Sequence, residues 1–439
     1  MQSIQVGLLG LGTVGTGVVQ ILQQQSALLA QRLGAQLTLA KVATRRPERQ
    51  RAVQLAVGQV TSDVMGVIED PNISTIVELI GGYEPARTYI LAALAHGKHV
   101  VTANKAVLAR HGPELFSAAQ KHGVDLGFEA SVGGGIPIIR TIKEAFVANA
   151  FVGISSIING TTNYILTRMS EDALGFDEAL QEAQDLGYAE ADPTFDIEGI
   201  DAAQKLALLA SLAFGSWIAQ EDIYTEGISH LTQLDIAYAR ELGYDVKLLA
   251  LAKLDGNALD VRVHPALVVA QSELASVKGS YNAVLIQGDM VGRNILVGRG
   301  AGALPTASAV VGDLVDVARN VLKRSSGRVP PQGYQNPGVH TMVLKDIDAV
   351  TGKYYLRFQV LDRPGVLSDI TGILGREGIS IESVIQKGRG VAHHDTVSVV
   401  MMTHEAQERH VRQALEAIET LPSIQAKTMR IRVEASGEP

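Results

Sequence analysis

The 439-residue sequence contains no cysteine. That excludes disulfides, thiolate zinc sites and every mechanism built on a cysteine nucleophile. Tryptophan occurs once, so the interior must be built from the plentiful Leu, Val, Ile and Ala. Such an interior suits helices packed on a sheet better than an aromatic-rich β-sandwich. Long lysine or arginine runs are missing and the formal net charge is -8, so nucleic acid is not an expected partner. No apolar stretch approaches the roughly 20 residues needed to span a bilayer. The longest compact one, LALLASLAFG from Leu206 to Gly215, predicts a buried helix and no membrane segment. Met1 to Ser3 runs directly into an apparent strand without a charged and apolar leader, and the expectation is a cytoplasmic protein.

The length predicts two or three domains. Residues Ile4 to Leu9 are almost wholly apolar, as in a strand buried on both faces of a parallel sheet. Gly10, Gly12 and Gly15 follow in a G-x-G-x-x-G pattern, and helical spacing continues from Val14 to about Leu29. A strand before and a helix after is the context that a dinucleotide fingerprint requires, although a simple strand-to-helix turn would also use glycines. The next strand, QLTLAKVAT, is not followed by the acidic residue that would read the ribose hydroxyl of NAD. Thr44, Arg45, Arg46 and Pro47 stand there instead. Two guanidiniums suit the 2'-phosphate of NADP, while the alternative is a pair of solvated loop charges.

Further strands are predicted at STIVELIGG, KHVVTANKA and VDLGFEASVGGGIPII, closing a nucleotide-binding domain near residue 135. Helices over Asp177–Gly187 and Gly199–Phe214 enclose an acidic loop, and ALDVRVHPALV and YNAVLIQGDMVGRNILVG read as antiparallel strands. Pro305 begins a long helix. Residues 324–340 are rich in Pro, Gly and Ser and read as a linker. Beyond it the order is β-α-β-β-α-β, a small independent ferredoxin-like domain. The fold class is α/β.

The acidic loop GYAEADPTFDIEGIDAAQKLALLA concentrates Glu190, Asp192, Asp196, Glu198 and Asp201 ahead of Lys205. Asp201 and Lys205 stand four apart and share a helix face. They are either a surface ion pair or, since the rest of the helix is strongly apolar, a proton donor held at the mouth of a buried element. Lys105 follows a predicted strand of the first domain, where ligands of open α/β sheets collect. His393 and His394 read as loop residues, because a metal site needs more ligands than two neighbours.

The set GLGTVGTGVV, TANKA, EASVGGGIPII, NGTTNYIL, GYAEADPTFDIEGIDAAQKLALLA and GRGAGALPTASAVVGDL resembles the homoserine dehydrogenase family from residue 1 to about 325. The stretch from about 354 to 433, with VLDRPGVLSDIT, resembles an ACT domain. The resemblance implies a Rossmann-type NAD(P)-binding domain over 1–135, completed by helix 305–323. It further implies an α+β catalytic and dimerisation domain over 136–304, a linker over 324–350 and a C-terminal ferredoxin-like ACT domain over 354–433. The implied reaction is reversible reduction of L-aspartate 4-semialdehyde to L-homoserine, on the route to threonine, isoleucine and methionine. Absence of cysteine agrees with it, since oxidation of the same aldehyde to an acyl phosphate would need a thiol.

On matched positions the resemblance makes Lys205 the general acid, Asp201 its orienting partner and Lys105 a second active-site lysine. Glu190 and Asp196 are the implied holders of homoserine. Gly10, Gly12, Thr13, Val14, Gly15, Arg45, Arg46, Lys105 and Gly302 are the implied contacts of NADP, preferred over NAD. Glu129, Val132, Gly134 and Ile136 match a monovalent cation site, sodium or potassium, made largely of backbone carbonyls. Threonine at the ACT domain and a homodimer or homotetramer complete the expectation. The rival readings are a regulatory protein that binds NADP without catalysis and a reductase of another amino-acid aldehyde.

Overall fold

The computed structural model describes residues 2–335, 342–387 and 396–434. His393 and His394 lie outside them. The chain divides into two compact units, one of 1–154, 201–223 and 281–342, the other of 155–200, 224–280 and 343–439.

The first unit is organised by β1 (Ser3–Leu9), α1 (Thr13–Gln24), α2 (Ser26–Leu33), β2 (Gln36–Ala43), β3 (Val60–Thr61), α3 (Val64–Ile68), β4 (Thr75–Glu78), α4 (Ala86–Ala95), β5 (His99–Thr102), α5 (Lys105–His122) and β6 (Leu126–Gly127). The six strands run parallel in the order β3-β2-β1-β4-β5-β6, the doubly wound order of a dinucleotide-binding sheet. All residues of β4 and β5 are buried, as a sheet covered on both faces demands. Helix Ala303–Lys323 returns from far along the chain to pack on α1, contributing Ala307, Val310, Val311 and Leu314 to the core around Val6, Leu8, Val18 and Val19. Strands Tyr281–Gly288 and Gly292–Arg299 form an antiparallel hairpin in this unit.

Two expectations are corrected here. The helix read as continuous from Val14 to Leu29 breaks at Gln25 (φ -106°, ψ 14°), where Gln23, Gln24 and Gln25 are all exposed and no burial holds the turn. The strand read through VDLGFEASVGGGIPII shrinks to Leu126–Gly127, followed by a single turn at Glu129–Ser131. Gly133 and Gly134 then take positive φ (72° and 53°), which leaves the β region altogether.

In the second unit, strands Tyr244–Asp255, Ala258–Val269, Met429–Glu434, Thr351–Leu361, Thr396–Thr403 and Ile381–Gln386 lie side by side in that order. The C-terminal β-α-β-β-α-β element is therefore not independent. Its last strand pairs in parallel with Ala258–Val269, with Ala266 opposite Arg432 and Val268 opposite Glu434. Ion pairs reinforce the join. Arg432 bonds Glu226 (2.8 Å), Glu434 bonds Lys253 (2.6 Å) and Arg262 (2.7 Å), and Arg357 bonds Asp235 (2.6 Å). Sequence periodicity could announce the strands but not a partner strand more than 160 residues away. Helices Val366–Arg376 and Glu408–Glu419 cover one face of this sheet, bringing Ile370 and Val411 into one core with Tyr354 and Phe358.

Candidate active site and cofactor cleft

The glycine turn between β1 and α1 is shaped by close approach. Gly10 has φ +98°, and a Cβ there would stand 2.5 Å from the Leu79 carbonyl oxygen. A Cβ on Gly15 would stand 2.2 Å from the Gly10 oxygen, so α1 could not begin where it does. Gly12 differs, because nothing lies within 4 Å of its missing Cβ. Its backbone faces open space at the N-terminus of α1, a cradle that a side chain would fill and a phosphate can enter. Thr13 is exposed and Val14 half-buried at the same turn.

This space belongs to a cavity of about 670 Å³ lined by Gly10, Gly12, Thr44, Arg45, Arg46 and Gly81, with Arg49 and Arg51 also in its wall. Arg45 and Arg46 are exposed on the loop after β2. Arg51, which sequence reasoning passed over, donates to Thr44 Oγ1 (3.1 Å) and the carbonyls of Arg46 (2.8 Å) and Leu11 (3.3 Å). It ties the arginine loop to the glycine turn. The only sequence signal was the density of arginines in TRRPERQR. Gly302, at φ +118°, precedes the long helix Ala303–Lys323, and that helix approaches so closely that a Cβ on Gly17 would lie 2.8 Å from the Ala303 oxygen.

At the carboxyl ends of β4 and β5, Glu78 is fully buried and burial pushes its carboxyl above the ordinary carboxylate range. It accepts from Ile80 N (2.7 Å) and from Thr102 Oγ1 (2.6 Å). Thr102 Oγ1 in turn accepts from Asn104 N (3.0 Å). Asn104 caps α5 by accepting from Val107 N (3.2 Å) and donates to the Gly82 carbonyl (2.8 Å). This chain of bonds fixes where α5 starts, and Lys105 is its first residue.

Helix Ile200–Phe214 is buried on all sides from Asp201 to Ala213, as its Ala and Leu content predicts. Asp201 and Lys205 are the charges carried inside. Asp201 is 4% exposed; its Oδ2 accepts from Lys205 Nζ at 2.6 Å, and its Oδ1 lies 3.1 Å from Lys105 Nζ. One carboxylate thus bridges two lysines brought together from positions 100 residues apart. The solvated surface pair that spacing alone allowed does not describe this geometry.

Glu190 and Asp196 belong to the second unit. Glu190 is exposed and its carbonyl accepts from Gln184 (3.0 Å). Asp196 is half-buried in the short helix Thr194–Ile197 and accepts from Asn159 Nδ2 at 2.7 Å.

At the expected cation loop the side chain of Glu129 is already engaged, accepting from Ile139 N and Arg140 N at 2.8 Å each. Burial, helped by neighbouring Asp313, pushes its carboxyl up to about 7. Asp313, itself pushed up to about 6 by burial, accepts from Glu129 N (2.8 Å). Val132 and Ile136 are buried, and a Cβ on Gly134 would lie 2.6 Å from the Gly300 carbonyl. The donors left to a cation are neutral backbone oxygens, a set that suits a monovalent ion. Among the described residues no group of three His, Asp or Glu could hold a metal.

Three family models match this chain. "Homoserine dehydrogenase, NAD binding domain" covers residues 10–129, "Homoserine dehydrogenase" covers 137–315, and "ACT domain" covers 354–423. The homoserine dehydrogenase of Pseudomonas aeruginosa is 44% identical over 434 residues, 99% of each chain. The chain belongs to the homoserine dehydrogenase family. The crystal structure of a homoserine dehydrogenase from Thiobacillus denitrificans superimposes with a TM-score of 0.93 at 46% identity, covering 100% of this chain and 99% of that one. A hyperthermophilic archaeal homoserine dehydrogenase solved in complex with NADPH matches at TM-score 0.62 and 25% identity, over 73% of this chain and 98% of that one. The protein is accordingly an oxidoreductase of the homoserine dehydrogenase type, with an NAD-binding domain of parallel-sheet Rossmann form, a mixed-sheet catalytic domain and a C-terminal ACT domain. No helix among the described residues is long and apolar enough to cross a membrane.

Proposed function

We propose that the protein reversibly reduces L-aspartate 4-semialdehyde to L-homoserine with NADPH in preference to NADH. The observation that carries this reading is Asp201 bridging Lys205 (2.6 Å) and Lys105 (3.1 Å) within the unit that holds the glycine turn. When bound, NADPH supplies the hydride that turns the aldehyde carbon into the alcohol carbon. Lys205 gives its Nζ proton to the substrate oxygen as negative charge develops there, and recovers a proton from solvent. In the oxidative direction a neutral Lys205 takes the hydroxyl proton. Asp201 holds both ammonium groups in place, so no side-chain reorganisation is needed during reaction. Lys105, fixed at the start of α5, adds a second positive charge beside the developing oxyanion.

Glu190 and Asp196 receive the α-ammonium of the substrate through charge-assisted hydrogen bonds; the bond from Asn159 orients Asp196 for that task. Gly10, Gly12, Thr13, Val14 and Gly15 hold the pyrophosphate, and Gly302 closes the turn on the opposite side. Arg45 and Arg46 read the 2'-phosphate. Carbonyls of Glu129, Val132, Gly134 and Ile136 hold a sodium or potassium ion. The domain limits proposed are 1–135 with helix 305–323, 136–304, the linker 324–350 and the ACT domain 354–433. In this reading the ACT domain takes L-threonine and lowers activity, the protein acts in the cytoplasm on the route to threonine, isoleucine and methionine, and it works as a homodimer or homotetramer.

The test is the initial rate of NADPH and NADH formation from L-homoserine, with and without L-threonine. The expected result is turnover with both cofactors, faster at low NADP, and suppression by threonine. Absence of turnover with either cofactor would overturn the catalytic reading. Turnover indifferent to threonine would overturn only the effector assignment.

A further inference from the structure

Glu226 follows the two-residue strand Tyr224–Thr225, which lies parallel to Ala258–Val269, and its N–H donates to the Val263 carbonyl at 2.8 Å. Its carboxylate is a meeting point of donors. Oε2 accepts from Arg432 (2.8 Å), on the C-terminal strand Met429–Glu434, and from Tyr224 Oη (2.8 Å), while Oε1 lies 3.3 Å from His230 Nε2. Burial would raise this carboxyl, but His230 and Arg432 hold it far below the ordinary carboxylate range.

The two residues after Glu226 grip a different element. Ile228 N donates to the Ile197 carbonyl at 2.8 Å. A Cβ on Gly227 would stand 2.4 Å from that same oxygen and 2.5 Å from Glu198 Cα, and a Cβ on Gly199 would meet Thr225 Cγ2 and Val263 Cγ1 at 3.2 Å each. The segment Glu226–Ile228 is therefore seated against the C-terminal end of helix Thr194–Ile197 with no slack. That helix carries Asp196. It is four residues long, buries no residue fully and has no side-chain cap, so its position is set by what it rests against.

The contacts run in series, from Arg432 to Glu226, from Gly227 and Ile228 to Ile197, and from Ile197 to its neighbour Asp196. All of these residues lie in the second unit. We propose that Glu226 is a positioning residue through which the C-terminal strand sets how firmly Asp196 holds the α-ammonium of homoserine, an inference that rests on the role given to Asp196 above. Asn159 orients the Asp196 carboxylate directly (2.7 Å), whereas Glu226 acts on the backbone that bears it.

The test compares variants of the full-length protein. Glu226→Gln keeps the shape of the side chain and removes its charge, while Arg432 keeps Glu408 at 2.6 Å. Gly227→Ala presses a methyl group on Ile197 and Glu198 from the same side. Glu434→Gln is the control, because it removes the ion pairs to Lys253 and Arg262, which belong to the same strand join but not to the segment Glu226–Ile228. The first two variants should raise KM for L-homoserine about fivefold or more with kcat within about threefold, since coupling between sites is worth roughly 5–150-fold and lost substrate binding shows in KM alone. Glu434→Gln should leave KM within about twofold. Hydrogen exchange needs no turnover: the amides of Ile197, Glu198 and Gly199, bonded to the carbonyls of Pro193, Thr194 and Asp196, should exchange faster in the first two variants and not in the control. Melting curves establish that each variant is folded at the assay temperature. An unchanged KM or unchanged exchange in Glu226→Gln, or an equal rise of KM in Glu434→Gln, would overturn the proposal. A parent protein that does not turn over L-homoserine would overturn instead the activity assigned above, and exchange at 197–199 would still decide whether Glu226 positions this helix.

Discussion

Replacing Lys205 with Met isolates the proton donor from the architecture around it. Methionine is unbranched, close in length and at home in a buried helix, so the change removes the ammonium while keeping most of the packing of the apolar helix that bears it. Asp201, 4% exposed, would otherwise become an uncompensated buried charge, but Lys105 remains 3.1 Å from its Oδ1. The fold should therefore tolerate the change. Positioned proton transfer contributes about 10²–10⁴ in rate, which corresponds to about 3–5 kcal/mol of transition-state stabilisation. The expected outcome is a kcat for homoserine oxidation lowered by that range, with NADPH affinity, read by quenching of its fluorescence, within a factor of about two. Asp201→Asn should lower kcat as well, by releasing both lysines, and the double variant should lose less than the product of the two single losses because the residues act as a unit. A Lys205→Met enzyme that turns over within threefold of the parent, with its melt unchanged, would refute the assignment.

Three further outcomes follow from the geometry. Gly12→Ala should melt like the parent, since nothing lies within 4 Å of the added Cβ, yet lose NADPH binding; Gly15→Ala, with its Cβ 2.2 Å from the Gly10 oxygen, should lose stability as well, and melting curves with and without NADPH separate the two. Arg45→Ala with Arg46→Ala should raise KM for NADPH by about tenfold or more while sparing NADH, since only the former carries the extra phosphate. Burial alone would raise the Glu434 carboxyl, but Lys253, Arg262 and His264 hold it down to about 2 against an ordinary 4.5, so it contributes about 3 kcal/mol of stability above its unfolded value. That stability is lost as pH falls from about 5 towards 2, and urea melts across this range should show a shallower acid dependence for Glu434→Gln.

What was legible in the sequence is what local rules control. The β1 strand, the glycine turn and the order β-α-β-β-α-β near the C-terminus are written in runs of a few residues, each obeying a period or a turn requirement. The pairing of Asp201 with Lys205 was legible because a helix places positions four apart on one face. Its burial was also foreshadowed by the apolar run that follows. The one-residue break at Gln25 was not, because hydrophobic spacing is insensitive to a single turn whose side chains all face solvent.

The remaining features depend on pairing across long separations, and no local period encodes that. Lys105 gains its place through a sequence of bonds from Glu78 to Thr102 to Asn104, in which each residue looks ordinary alone and only the β4–β5 register makes them neighbours. Arg51 likewise acquires a role only because the loop after β2 folds back onto Leu11. The same reasoning explains why the C-terminal element looked independent. Arg432 and Glu434 alternate with apolar residues along Met429–Glu434, a pattern that edge strands also use against unwanted pairing. Here they serve the opposite end, since Arg262, Lys253 and Glu226 stand ready to neutralise them, and an edge that would otherwise repel a partner strand is joined to one. Charge on a strand edge therefore separates domains only when its counter-charges are absent from the strand it meets, and that complement becomes visible when both strands are in view.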